Sequence, residues 1–132
     1  MSETILDAVR RHARERGGDL AYRTPARNWT FGKLDEASNR LAQGLTTLGI
    51  GAGDRVACLT KQTVDCAVLV LAANKVGAVC MPVNWRLAPP EIEYIVGNGQ
   101  AKLMMADAAF AAAAGNLRTF VTEEFAPGHC AP

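Results

Sequence analysis

Two short runs constrain this chain more than any other feature: residues 56–60 (Val-Ala-Cys-Leu-Thr) and 78–83 (Ala-Val-Cys-Met-Pro-Val) are apolar on both faces. Strands with no polar face belong inside a parallel sheet covered by helices on each side. Parallel neighbours cannot be joined by a tight turn and need a crossover, usually a helix. Residues 63–76 lie between the two runs and are apolar nearly all round. A helix of that kind is expected to be sandwiched between layers rather than laid on a surface. A β-α-β unit is therefore the nucleus around which the rest is read.

Further elements extend the alternation. Ile5, Leu6, Val9 and Ala13 recur at helical spacing through residues 3–16, and Gly17-Gly18 stops that helix. Residues 20–23 and 28–30 are β-prone pieces around Thr24-Pro25, read as a small hairpin. Leu34, Ala37, Leu41, Leu45 and Leu48 trace one stripe of a helix over residues 30–48, with Thr30 placed to cap it and Gly49 suited to the left-handed position that ends it. Pro89-Pro90 opens a helix through residue 96, closed by Gly97-Asn98-Gly99. Residues 103–106 form a third buried strand. Asp107 is expected to cap an alanine-rich helix ending at Gly115-Asn116, and residues 118–122 form a fourth strand. The order predicts an α/β fold: a layered, mostly parallel sheet with helices on both faces, plus a small N-terminal β hairpin. Residues 1–124 read as one unit and residues 125–132 as a loose tail.

A chain of 132 residues with 14 Lys+Arg against 13 Asp+Glu has no clustered cation excess for nucleic acid. The N-terminus carries Glu3, Asp7 and arginines in place of an apolar signal segment. The most apolar stretch, residues 66–73, is far short of the roughly 20 residues that span a bilayer. Cys58, Cys66, Cys80 and Cys130 show no spacing that suits zinc, even with His129 beside Cys130, and read as free thiols. Together these features give the expectation of a cytoplasmic protein.

Each place where chemistry could sit has a plainer reading beside it. Gly49-x-Gly51-x-Gly53 follows a helix and precedes a strand, the reverse of a phosphate-binding loop, so a helix stop and tight turn fits it better. No Gly-x-x-x-x-Gly-Lys occurs. The basic side of the first helix (Arg10, Arg11, Arg14, Arg16, with His12) would suit an anionic membrane surface, but Glu3, Asp7 and Glu15 are interspersed, as on an ordinary solvated face. Arg86 leaves a buried strand at its carboxyl end, where open α/β sheets bind ligands; it would hold a carboxylate or phosphate there, or pin the loop to nearby carbonyls or carboxylates, the commoner use of its five donors. Glu91 with Glu93, and Glu123 with Glu124, are not spaced to face one another, and His12 and His129 lack a recognisable partner. No catalytic, cofactor-binding or metal-ligating residue is assigned.

Thr30-Phe31-Gly32-Lys33-Leu34, Asn39-Arg40-Leu41-Ala42, Leu48-Gly49-Ile50 and Gly53-Asp54-Arg55-Val56-Ala57 form one half of an ordered set. Ala73-Asn74-Lys75-Val76-Gly77-Ala78-Val79, Pro82-Val83-Asn84-Trp85-Arg86-Leu87 and Glu91-Ile92-Glu93-Tyr94-Ile95 complete it. Taken together, residues 22–107 resemble the start of adenylate-forming (AMP-binding) enzymes, with Pro-Val-Asn-Trp-Arg-Leu leaning toward the acyl-CoA synthetase, or acid–CoA ligase, branch. The resemblance implies part of that family's large N-terminal domain. It also implies a full-length reaction in which a carboxylic acid is activated by ATP with Mg²⁺, releasing pyrophosphate, and passed to CoA, releasing AMP. The family's Ser/Thr/Gly-rich phosphate loop, Thr-Glu pair, ribose-binding Asp and C-terminal lysine have no counterpart here. ATP, Mg²⁺ and CoA are thus implied for the full-length enzyme and not for this chain alone. Thr60-Lys61-Gln62-Thr63 departs from the family's usual Pro-Asn-Ser-like helix opening.

The expected partner is the remainder of a ligase, or a second copy meeting an exposed apolar surface, with the all-round apolar helix at residues 63–76 as the candidate. Two other readings are a stand-alone α/β interaction or dimerisation module without catalysis, and a flavodoxin-like nucleotide binder, which lacks a strand-to-helix phosphate loop here.

Overall fold

The computed structural model describes residues 3–24, 28–61 and 63–121. Helix α1 (Ile5–Arg16) opens with a cap that local chemistry dictates: Thr4 Oγ1 accepts from the Asp7 amide at 3.0 Å while Asp7 accepts from the Thr4 amide at 3.2 Å. Strands β1 (Leu20–Arg23) and β2 (Asn28–Thr30) pair antiparallel as a two-stranded ribbon. Helix α2 (Phe31–Thr47) starts where Thr30 Oγ1 accepts from the Lys33 amide at 3.2 Å, and ends before Gly49 at φ +84°.

Strand β3 (Arg55–Leu59), helix α3 (Thr63–Val76) and strand β4 (Val79–Pro82) form the expected β-α-β unit. Helix α4 (Pro89–Asn98), strand β5 (Leu103–Ala106) and strand β6 (Thr119–Val121) follow. The four-stranded sheet is parallel throughout, in the order β4-β3-β5-β6. Val56 lies opposite Cys80 on one side and Leu103 on the other, so β3 is central.

Strand periodicity sorts the core into two halves. Val56, Cys58, Leu103 and Met105 face α3, α2 and the hairpin's Trp29; Ala57, Leu59, Met104 and Ala106 face α4 through Ile92 and Val96. Helix α3 contacts α2 as well as β3 and β4, which explains its lack of a polar stripe. Its Val64, Val68, Leu69, Leu71, Ala72 and Ala73 are all buried within this one chain. The apolar surface expected there for a partner is therefore covered by α2.

Lys75, near the end of α3, is almost fully buried and tied to α2. Its Nζ donates to Asp35 Oδ1 at 2.9 Å, Ser38 Oγ at 2.7 Å and Asn39 Oδ1 at 2.6 Å, so the buried charge has a complete set of acceptors.

Two expectations fail. The strand read at residues 78–83 is not interior: β4 is the edge of the sheet, paired only with β3 among the described residues, and Val79 and Pro82 at its two ends are exposed. The alanine-rich stretch after Asp107 is no α-helix: a single 3₁₀ turn (Ala108–Phe110) gives way to further turns. Asp107 does not cap it, because its carboxylate is engaged elsewhere, accepting from Thr60 Oγ1 at 2.7 Å and from the Lys61 amide at 3.0 Å. Ala114 is instead tucked into the α4 side of the core, and Gly115, at φ +63°, sits where an added Cβ would come within 3.1 Å of the Glu93 carboxylate. Tertiary packing has overridden a favourable local propensity. The hairpin turn at residues 25–27 and the expected tail at 125–132 lie outside the described residues.

Candidate functional site

In an open parallel sheet, the crevice forms at the carboxyl ends where successive connections leave in opposite directions. Here β3 connects to β4 on one side, and β5 then returns to β3's other side, so that point lies between the exits of β3 and β5. Three strand exits converge on it: Thr60-Lys61 after β3, Asn84-Trp85-Arg86 after β4, and Asp107 to Phe110 after β5.

Asp107 closes the crevice at its base. Its amide donates to the Leu59 carbonyl at 3.1 Å, and its carboxylate holds Thr60 Oγ1 and the Lys61 amide, clamping the two exits together. Above this clamp the Trp85 and Phe110 rings stack with centroids 6.1 Å apart and planes inclined by 26°. The Lys61 ammonium stands 4.6 Å from the Trp85 centroid and 5.8 Å from Phe110. The Arg86 guanidinium lies 4.5 Å from the Trp85 centroid. The Asn84 side chain accepts from the Arg86 amide at 3.0 Å, an Asx turn that sets the direction of the loop.

Arg86 therefore anchors neither to carbonyls nor to carboxylates among the contacts described; its guanidinium rests on its neighbour's indole and its residue is exposed. Lys61 is exposed as well. The result is a platform of two cations on an aromatic wall, with its one carboxylate spent on hydrogen bonds. Chemically it can attract an anion. Lys61, Trp85 and Phe110 were not singled out from sequence; Lys61 and Trp85 lie within two residues of predicted strand ends, whereas Phe110 falls inside the stretch expected to be helical.

The other sequence candidates scatter. In the Gly49–Gly53 segment the amides are turned inward: Gly49 donates to Thr46, Ile50 to Leu45 and Gly53 to Gly77 carbonyls, while Gly51 donates to Asp54 Oδ2 at 2.8 Å. These groups do not fit a triphosphate. Arg11 pairs with Glu3 at 2.7 Å and with Glu15 at 3.7 Å, and Arg16 pairs with Asp19 at 3.1 Å, so much of the α1 basic face is neutralised. His12 packs its ring against Phe31, 4.9 Å between centroids. The Glu91 carboxylate accepts from the Ala88 amide at 3.1 Å and serves the start of α4. A shallow, open hollow lined by Pro90, Glu93, Tyr94, Gly97 and Asn98 lies on the outer side of α4. Among the described residues, no three His, Cys, Asp or Glu side chains are grouped to hold a metal ion. Glu123, Glu124, His129 and Cys130 lie outside the described residues. Among the described residues no helix is long and apolar enough to cross a membrane.

Fold and crevice together define a doubly wound α/β scaffold with an anion-attracting carboxyl edge. The family model for AMP-binding enzymes matches residues 9–128, and the chain belongs to that family. Its relatives include the long-chain-fatty-acid–CoA ligase FadD13 of Mycobacterium tuberculosis, 41% identical over 76 residues, which are 58% of this chain and 15% of that protein. The 4-hydroxybenzoate–CoA/benzoate–CoA ligase of Rhodopseudomonas palustris is 31% identical over 130 residues, covering 92% of this chain and 24% of the ligase. Among solved structures, the inhibitor-bound N-terminal domain of FACL13 from Mycobacterium tuberculosis superposes with a TM-score of 0.86 at 28% identity, over 99% of this chain and 36% of that one. This chain thus spans a quarter or less of the curated ligases it matches.

Proposed function

We propose that this chain supplies the opening part of the large N-terminal domain of an ATP-dependent acid–CoA ligase. That enzyme would convert a carboxylic acid, ATP and CoA into acyl-CoA, AMP and pyrophosphate. We also propose that the chain does not carry out the reaction alone. The observation that carries this reading is the pairing of a near-complete family match with a fold whose glycine-rich turn has its amides internally satisfied. No described group is arranged to cradle a triphosphate, and the activation step requires cationic groups that offset phosphate charge. Within the complete ligase, Lys61 and Arg86 would contribute positive potential at the carboxyl edge, where an anionic substrate would approach.

The test is acid-dependent ATP–pyrophosphate exchange by the purified chain across aliphatic and aromatic acids. The expected rate is that of a blank without protein. Robust exchange that depends on added acid would overturn the claim that the chain is insufficient.

A further inference from the structure

Three cysteines that the proposed ligase scaffold does not use come together beneath α3. Cys58 on β3 and Cys80 on β4 share the sheet face that packs against α3, with Cys80 opposite Val56 and Cys58 two residues further along its strand. Cys66, in the first half of α3, is within hydrogen-bonding reach of both. All three are free thiols; Cys58 is buried, while Cys66 and Cys80 are half-buried and open to a small oxidant. A disulfide needs its two Cβ atoms only about 3.5–4.5 Å apart, so thiols already in contact between a helix and the sheet under it can join with little backbone movement.

We propose that Cys58, Cys66 and Cys80 form a thiol–disulfide switch in which an oxidant links Cys66 to Cys80, stapling α3 to the edge strand of the sheet, with Cys58 as the buried third thiol. With hydrogen peroxide as oxidant, the Cys66 sulfur attacks one peroxide oxygen, the O–O bond breaks and the departing hydroxide takes up the thiol proton. The products are a sulfenic acid on Cys66 and water. The Cys80 sulfur then attacks the Cys66 sulfur; the S–S bond forms, the S–O bond breaks and a second water leaves. Two thiols have lost two hydrogens and two electrons, and one peroxide has become two waters.

Cys66 is the hub for a reason beyond position. Hydrogen bonds from Cys58 and Cys80 favour ionisation at Cys66, whereas the contact with Cys66 and burial push both Cys58 and Cys80 up. The Asp65 carboxylate, rather than a cation, is the charged neighbour that acts on Cys58. Low-pKa sensor thiols are usually set beside cations.

The experiment uses the 132-residue chain carrying Cys130→Ser, reduced and then exposed to hydrogen peroxide. Free thiols are alkylated and peptides mapped by mass spectrometry without reduction. The expected product is an intrachain Cys66–Cys80 link, with Cys80→Ser diverting it to Cys58–Cys66 and Cys66→Ser abolishing it. Should Cys66→Ser fail to fold, Cys66→Ala and the mapping of the parent chain carry the test. An intact mass that never loses two hydrogens overturns the proposal, as does a Cys66 variant that forms as much intrachain disulfide as its parent. The oxidised chain is also expected to unfold at a higher temperature than the reduced one, reversibly with dithiothreitol; an equal or lower midpoint counts against the staple.

Discussion

The two ends of the parallel sheet share the same strands but treat their cations in opposite ways. At the amino end Lys102, Arg118 and Arg55 are tied to backbone at a helix terminus. Lys102 Nζ donates to the Gly49 carbonyl at 2.9 Å, Arg118 to Leu48 at 3.1 Å and Arg55 to Gly99 at 2.7 Å. Those carbonyls close α2 and α4, where the helix dipole favours positive charge and orphan acceptors need donors. At the carboxyl end Lys61 and Arg86 rest on aromatic faces, and no described contact ties their charged ends to a carbonyl or carboxylate. The first arrangement completes a fold. The second leaves charge available to something outside it.

Substitutions can break that contrast. The largest effect is expected from Gly77→Val at the amino end. Gly77 holds φ +80° with Ala52 in contact at 3.4 Å, so a β-branched side chain is strained there, and a loss of about 2–3 kcal/mol is expected in urea unfolding. Asp107→Ala comes next, since it releases Thr60 and the Lys61 amide; hydrogen bonds to a charged group imply about 1.5–2 kcal/mol, measured in the same way. Arg86→Ala or Lys61→Ala should cost under about 1 kcal/mol, as exposed cation–π contacts do. If either proved as costly as Asp107→Ala, the carboxyl edge would be structural and the contrast lost.

The smallest effect concerns acid. The Gly51 amide and Lys102 hold the Asp54 carboxyl below its ordinary value of 3.8, and Asp7 is held down by Thr4. Because the folded values are depressed, their contribution to stability is complete above the unfolded value and is lost as pH falls through the folded one. Thermal midpoints should therefore decline as pH drops below that range, and Asp54→Asn should flatten the decline slightly.

Much of the fold was legible because its instructions are local. Gly49 and Gly77 stop helices where they must, Thr30 caps α2, and residues 56–60 form the central strand, whereas the apolar run at 78–83 gave a strand but not its place at the sheet's edge. The Ala108–Ala114 stretch was misread for the complementary reason. Its alanines favour a helix, but the fate of Asp107 is decided by Thr60 and Lys61, far away in sequence and adjacent only once β3 pairs β5. The cation and ring platform was hidden in the same way, since Lys61, Trp85 and Phe110 come from three different strand exits. Position after a strand marked the neighbourhood of Lys61 and Trp85; the stacking could not be read from one dimension.

The central place of β3 carries a consequence for how the chain reaches its native state. Its pairing with β4 closes a short stretch of chain through α3, whereas its pairing with β5 must wait until α4 has returned across it. Contacts of short sequence separation cost less entropy to make. A nucleus of α2, β3, α3 and β4 is therefore expected to assemble before β5 and β6 dock. Stopped-flow kinetics would show it: Val56→Ala should slow refolding, while Phe120→Ala on β6 should chiefly hasten unfolding.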